Sequence, residues 1–193
     1  MRNAEFNRES VLRAAMTAFT NKGFSKTSMQ DLTKATGLHP GSIYCAFNNK
    51  KGLLMAAIEQ YQQDKSDKFK QFFTTQDSPL TNLEHYLDYI VNECASCDPT
   101  RACLASKSLS ELGEHDADVL AVINAHFACW QHNIETVIAD AKQANEITST
   151  DTNEQLAQYL IMGIFGLRTF AYTQPQVEKL QPLAKRLLKG LQQ

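Results

Sequence analysis

The side chains best suited to metal, redox or nucleophilic chemistry in this 193-residue chain are its five cysteines and five histidines. Cys94-Ala-Ser-Cys97 offers two thiolates at zinc-ligand spacing, but tetrahedral zinc takes four sulfur or nitrogen ligands. Only His85 and Cys103 stand close enough in sequence to complete such a set, and no second clear pair follows. No β-α-β pattern surrounds the motif, so a thioredoxin-type role has no support; small apolar residues at a helix end account for it. Cys103 lies where a helix begins, near Arg101 and Lys107, a setting in which helix dipole and cations favour a thiolate. Packing is the simpler reading of Cys103 and also of Cys45. His39, His85, His115, His126 and His132 fall into no catalytic arrangement. Glu111, Glu114, His115, Asp116 and Asp118 read as capping and solvated charge at a helix–turn junction. The residues call for no metal and no cofactor.

The elements that carry these residues are helices almost throughout. Five prolines and eight glycines punctuate the chain, and no period-2 alternation persists long enough for a sheet. Residues 27–53 are the most informative segment. Thr27 or Ser28 caps a helix, with Ser28 and Asp31 at capping-box spacing, and Leu32 and Ala35 supply its buried face. Gly37 stops that helix, and Pro40 opens the next, where its missing N–H costs nothing. This second helix, about 40–47, turns Ile43 and Phe47 inward and leaves Gly41, Ser42 and Tyr44 outside, the surface of a helix pressed against DNA. A long helix follows from about 49 to 73, then helices at about 80–95, 102–112 and 117–145. A capping box at Asp151-Thr-Asn-Glu154 opens a helix that runs to about Tyr172. Leu180, Leu183, Leu187, Leu188 and Leu191 mark a last amphipathic helix.

The segment from Thr27 to Leu53 resembles the helix-turn-helix of TetR family transcriptional regulators. The likeness extends upstream through Val11, Leu12, Ala14, Ala15, Ala18, Phe19, Gly23 and Phe24, and downstream through Asn49, Lys50, Leu53 and Leu54. It covers about the first third of the chain. Ala46 stands where many members carry His, so a backbone contact made by that histidine is absent. The resemblance implies an all-α fold: a three-helix DNA-binding domain over residues 4–64, with its motif at about 28–47, and a helical effector-binding and dimerisation domain over 65–193. It implies that Thr27, Tyr44 and Lys50 contact phosphates and that Pro40, Gly41 and Ser42 approach the groove floor. Ser28 and His39 join them at the DNA-facing turn. Arg101 to Val119 is similar to a segment of one branch, in which a cysteine–leucine pair opens the sixth helix and serves some members as a thiol sensor; here Cys103 takes that place. Family members bind a small molecule in the helical body, for which Tyr86, Tyr89, Phe127, Trp130, Met162 and Phe165 form the candidate lining. The last two helices of members form a dimer interface, here expected from Leu156, Tyr159, Leu160, Gly163, Leu167, Leu183 and Leu187.

Charge agrees with that organisation. Residues 1–52 hold eight basic and three acidic side chains, a net +5, while the other 141 hold 11 basic and 18 acidic, a net −7. A basic head on an acidic body suits a protein that meets phosphates at one end. Met1 to Arg13 carries no signal-peptide pattern, and no apolar run approaches bilayer length, so a cytoplasmic protein with reduced thiols is expected. One short recognition helix reads few base pairs; a homodimer on palindromic double-stranded operator DNA follows. The expected function is a repressor released by an unknown small-molecule effector or by thiol modification. The alternatives are a helical enzyme, or a protein-interaction bundle whose DNA-binding head is non-functional.

Overall fold

The computed structural model describes residues 6–74, 76–96 and 103–192, and among them every regular element is a helix. In order these are α1 (Arg8–Lys22), α2 (Met29–Thr36), α3 (Pro40–Phe47), α4 (Lys50–Phe72) and α5 (Pro79–Ala95), then α6 (Leu104–Leu112), α7 (Ala117–Gln143), α8 (Asn153–Phe170) and α9 (Val177–Gly190). Cys97 and Arg101 lie outside the described residues, and with them the Cys94/Cys97 pairing.

The chain divides into two compact units, residues 1–65 with 102–126, and residues 66–101 with 127–193. The first takes in more than the N-terminal helices, because α6 and the first part of α7 group with them. Its core is built from the inward faces the sequence marks: Val11, Leu12, Ala15 and Phe19 of α1, Leu32 of α2, Ile43 and Phe47 of α3, and Leu53, Leu54 and Ile58 of α4. The second unit packs α5, α7, α8 and α9 around Leu83, Leu87, Ile90, Ile134, Ile138, Leu160 and Leu180.

Local signals set the helix ends in the first unit. Ser28 accepts the Asp31 N–H while Asp31 accepts the Ser28 N–H, completing the capping box. Gly37 takes the left-handed conformation at φ 70° that ends α2. His39 caps α3 through Nδ1, and Pro40 occupies the first turn. Ala35, expected inside, is exposed. Leu32 alone fills the core on a helix of eight residues, and alanine carries too little apolar surface to turn the helix toward itself. The α8 box sits one residue later than the sequence suggests: Thr152 and Gln155 cap each other, not Asp151 and Glu154.

Candidate nucleic-acid interface and sensor residues

α3 presents two faces of opposite character. Ile43 and Phe47 are buried, while Gly41, Tyr44, Cys45 and Ala46 are exposed, Tyr44 with half its surface in solvent. His39 is exposed at the turn, and Pro40 and Ser42 are half-buried beside it. Ser28 is exposed too, but its hydroxyl is committed to the α2 cap. A surface of glycine, small side chains and one phenol permits the backbone of α3 to come close to a flat or grooved partner.

Two of the expected phosphate contacts have partners within the head itself. Thr27 is fully buried, and its hydroxyl donates to the Gly23 carbonyl at 2.5 Å. Its side chain reaches no surface because it turns back onto the end of α1. Lys50 donates from Nζ to the carbonyls of Phe24 at 2.9 Å and Thr27 at 3.0 Å, with the ammonium 4.3 Å above the Phe24 ring. The start of α4 thus fastens the α1–α2 loop. Two of the three ammonium donors are thereby engaged in shaping the head.

Other basic groups of the head are also engaged. Lys22 pairs with Asp31, whose carboxyl lies well below the usual range because of the Lys22 hydrogen bond and then the bonds from Ser28. Arg13 makes a two-pronged pair with Asp64, which raises the guanidinium further. Lys51 bridges Asp116 and Asp118, and this raises Lys51 and lowers Asp116. Lys26 and Lys34 remain exposed with no ion-pair partner among the described residues. Arg8 lies over the Phe47 ring at 5.0 Å, also without a carboxylate. Sequence reasoning passed over these three because net charge does not say which cations are already paired. A nearby acid marks a spent one, as with Lys22 and Asp31.

Cys103 caps α6 without a side-chain hydrogen bond to the backbone, and it is half-buried. The Tyr61 hydroxyl donates to its Sγ at 3.4 Å, and the Tyr61 ring tilts against His126 at 5.5 Å. One turn further, Lys107 Nζ reaches the Thr20 and Asn21 carbonyls at 2.6 and 3.3 Å, and Glu111 accepts the Ser25 N–H at 3.0 Å. α6 therefore holds the end of α1 and the loop after it with two oppositely charged side chains.

In the second unit, Phe165 stands edge-on to Phe127 and Trp130 at 5.5 and 5.9 Å. The same unit holds a part-buried ion pair, Arg168 with Glu93 at 3.0 Å, and Tyr89 donates to Glu93 at 2.7 Å. Two residues of the expected lining have other surroundings. Tyr86 is a core residue, edge-on to Phe69 and Phe72, with its phenol pushed up to about 12 chiefly by burial. Met162 points outward, 65% exposed, because it lies on the opposite side of α8 from the buried Leu160 and Ile164.

The expected dimer residues divide between buried and exposed positions. Leu156, Leu160 and Leu167 are buried inside their own unit. Gly163 lies so close to Leu187 of α9 that a Cβ there would collide with it, and a Cβ on Gly190 would meet the Tyr159 hydroxyl. Tyr159, Gly163 and Leu187 therefore serve α8–α9 packing within one chain. What stays exposed is Met162, Phe170 and Tyr172 with Leu183. Helix α8 has apolar residues on too much of its circumference for one neighbour to cover.

Residues 11–57 match the model for bacterial regulatory proteins of the tetR family, and residues 79–181 match the tetracyclin repressor-like C-terminal domain. The chain is 26% identical over 185 residues to the HTH-type transcriptional repressor ComR of Escherichia coli, covering 95% of this chain and 88% of that one. Its fold is similar to a cysteine-substituted form of the TetR family regulator CifR, solved in complex with 26-bp double-strand operator DNA. The TM-score is 0.85 at 22% identity, over 99% of this chain and 100% of that one. It is also similar to the reduced form of E. coli NemR, with TM-score 0.84 and 16% identity over 93% of this chain and 94% of that one.

Proposed function

Because this chain belongs to the TetR family of bacterial transcriptional regulators, we propose that it acts as a homodimeric repressor, with α3 of each protomer in one half-site of a palindromic operator. It is a DNA-binding regulator and not an enzyme. The observation that carries the proposal is the exposed face of α3, where Gly41 and Ser42 leave room for base edges and Tyr44 extends to the side. Lys26, Lys34 and Arg8, without an ion-pair partner among the described residues, are the cations to which phosphate affinity is assigned. No helix among the described residues is long and apolar enough to cross a membrane, in keeping with a cytoplasmic repressor.

The test is binding to DNA from upstream of the protein's own gene, measured by fluorescence anisotropy across a salt series. Saturable binding whose affinity falls steeply with salt supports the proposal. Failure to bind at low salt, with a folded dimer, removes it. Lys34→Gln should lower the log–log salt slope by about 0.9 per half-site if its ammonium meets a phosphate.

Dimerisation is assigned to the exposed face of Met162, Phe170, Tyr172 and Leu183. Release has two candidate inputs. A small molecule seated against Phe127, Trp130 and Phe165 would act through the helical body. Modification of Cys103 would break the Tyr61 hydrogen bond and displace the start of α6, whose far end holds α1. Release by N-ethylmaleimide that is lost in Cys103→Ser supports the thiol input; release that persists in this variant excludes it and turns attention to the exposed Cys45.

A further inference from the structure

A cleft of about 490 Å³ opens in the second unit, between the end of α4, the start of α5 and the outer face of α7. None of the aromatic residues assigned above to an effector lines it. Its apolar wall is Phe69 and Phe73, whose rings lie 4.6 Å apart. Opposite them α7 offers Asn133, Thr136 and Asp140, spaced three and four residues apart and therefore on one face. Asp77 lies on the stretch between α4 and α5 and also lines the cleft.

A donor-and-acceptor account of these groups identifies what would fit. The Thr136 hydroxyl spends its proton on the His132 carbonyl at 3.0 Å, so toward a ligand it only accepts. Asn82 donates to the Asp77 carbonyl at 3.2 Å, and Asn133 donates to Cys129 Sγ at 4.0 Å. The N–H groups at the start of α5 are taken as well: Leu80 by Glu146, and Thr81 and Asn82 by Ser78. Asp77 and Asp140 have no ion-pair partner among the described residues. Lys70 is the one lysine in the lining, and it too is unpaired. The cleft is thus an apolar wall beside acceptors, two carboxylates and the Thr136 hydroxyl, with one ammonium, the His132 ring and an Asn133 amide N–H as its remaining donors.

We infer that this cleft is a binding site for a small primary ammonium compound with an aryl or alkyl body, the body against Phe69 and Phe73 and the ammonium among Thr136, Asp140 and Asp77. A primary ammonium supplies three donors and one positive charge, and this lining supplies what answers them. An anion of the same shape meets two carboxylates against one ammonium. The site is independent of Cys103 and of the aromatic group around Phe165.

The test uses the full-length protein and 2-phenylethylammonium as probe, with phenylacetate as the anion of similar shape, titrated by calorimetry at low salt. The amine should bind saturably at one site per chain and phenylacetate should not. Exposed charge pairs are worth about 0.2–1 kcal/mol, so Asp140→Asn should weaken the amine about threefold and Asp77→Asn with Asp140→Asn about tenfold. Lys70→Gln should tighten it about twofold, an opposite sign that loss of folding does not mimic. Cys103→Ser should leave the affinity unchanged. Equal binding of amine and phenylacetate, no saturable amine binding, or amine affinity unchanged in the double aspartate variant would each overturn the assignment.

Discussion

Replacing Lys50 by alanine separates two roles that a lysine in a DNA-binding head can play. In the structure its Nζ is bound to the Phe24 and Thr27 carbonyls and stacked over the Phe24 ring. Hydrogen bonds involving a charged group are worth about 1.5–3 kcal/mol when well shielded, and a cation–π contact about 0.5–1 kcal/mol when exposed. Lys50 is half-buried, so a fair value for the set, discounted for solvent, is about 2 kcal/mol. For a chain of this size that corresponds to a fall in Tm of roughly 4–8 °C. Because the loop it holds precedes α2, the variant should bind every DNA sequence more weakly while keeping its salt slope. Thermal unfolding by circular dichroism, combined with anisotropy titrations from low to moderate salt, reads both effects. An unchanged Tm with a slope reduced by about 0.9 would mean that the ammonium meets a phosphate after all, and the fastening role would be wrong.

Further outcomes follow from the same geometry. His126 is held down to about 4, first by burial and then by Lys65, while an unfolded histidine titrates near 6.5. The unfolded chain therefore binds the extra proton first, and stability present above pH 6.5 is lost as pH falls toward 4. The loss is on the order of 3 kcal/mol, and His126→Phe should flatten the dependence of Tm on pH over that window. Gly23→Ala puts a side chain at φ 81° and against the Glu111 carboxylate. It should destabilise by about 1–3 kcal/mol, and adding Glu111→Ala should recover only the steric part, as a double-mutant cycle in urea would show. Leu183→Glu with Met162→Lys should convert a dimer to a monomer in sedimentation experiments without changing helicity. Leu160→Ala should instead cost about 2–5 kcal/mol in the monomer's own core.

What the sequence made legible were features written within a few residues. The capping box of Ser28 and Asp31, the left-handed Gly37 and the opening Pro40 are all local, and each stands where its spacing places it. The partners of Thr27 and Lys50 within the head are not legible, for the complementary reason. Their partners are main-chain carbonyls, at Gly23, Phe24 and Thr27, and a carbonyl has no letter in a sequence. The dimer face turns on angle. Successive residues on a helix are separated by about 100°, so Leu160 and Met162 point in different directions although both read as apolar. Only the positions of α5 and α9 decide which of them is covered. The body's clefts were the least legible, because Asn133, Thr136 and Asp140 are ordinary surface letters until α4 and α5 are set beside them.

The hold of α6 on the first unit has a consequence for anyone mapping this protein by mutation. Lys107 and Glu111 grip main-chain atoms of Thr20, Asn21 and Ser25, not their side chains. Substitutions at Asn21 and Ser25 should therefore pass unnoticed, while those at Lys107 and Glu111 register strongly. A scan that begins at the DNA-binding helices and works outward would find a tolerant loop and stop there. The control over that loop is recorded about eighty residues away, in a short helix whose own sequence carries no sign of DNA.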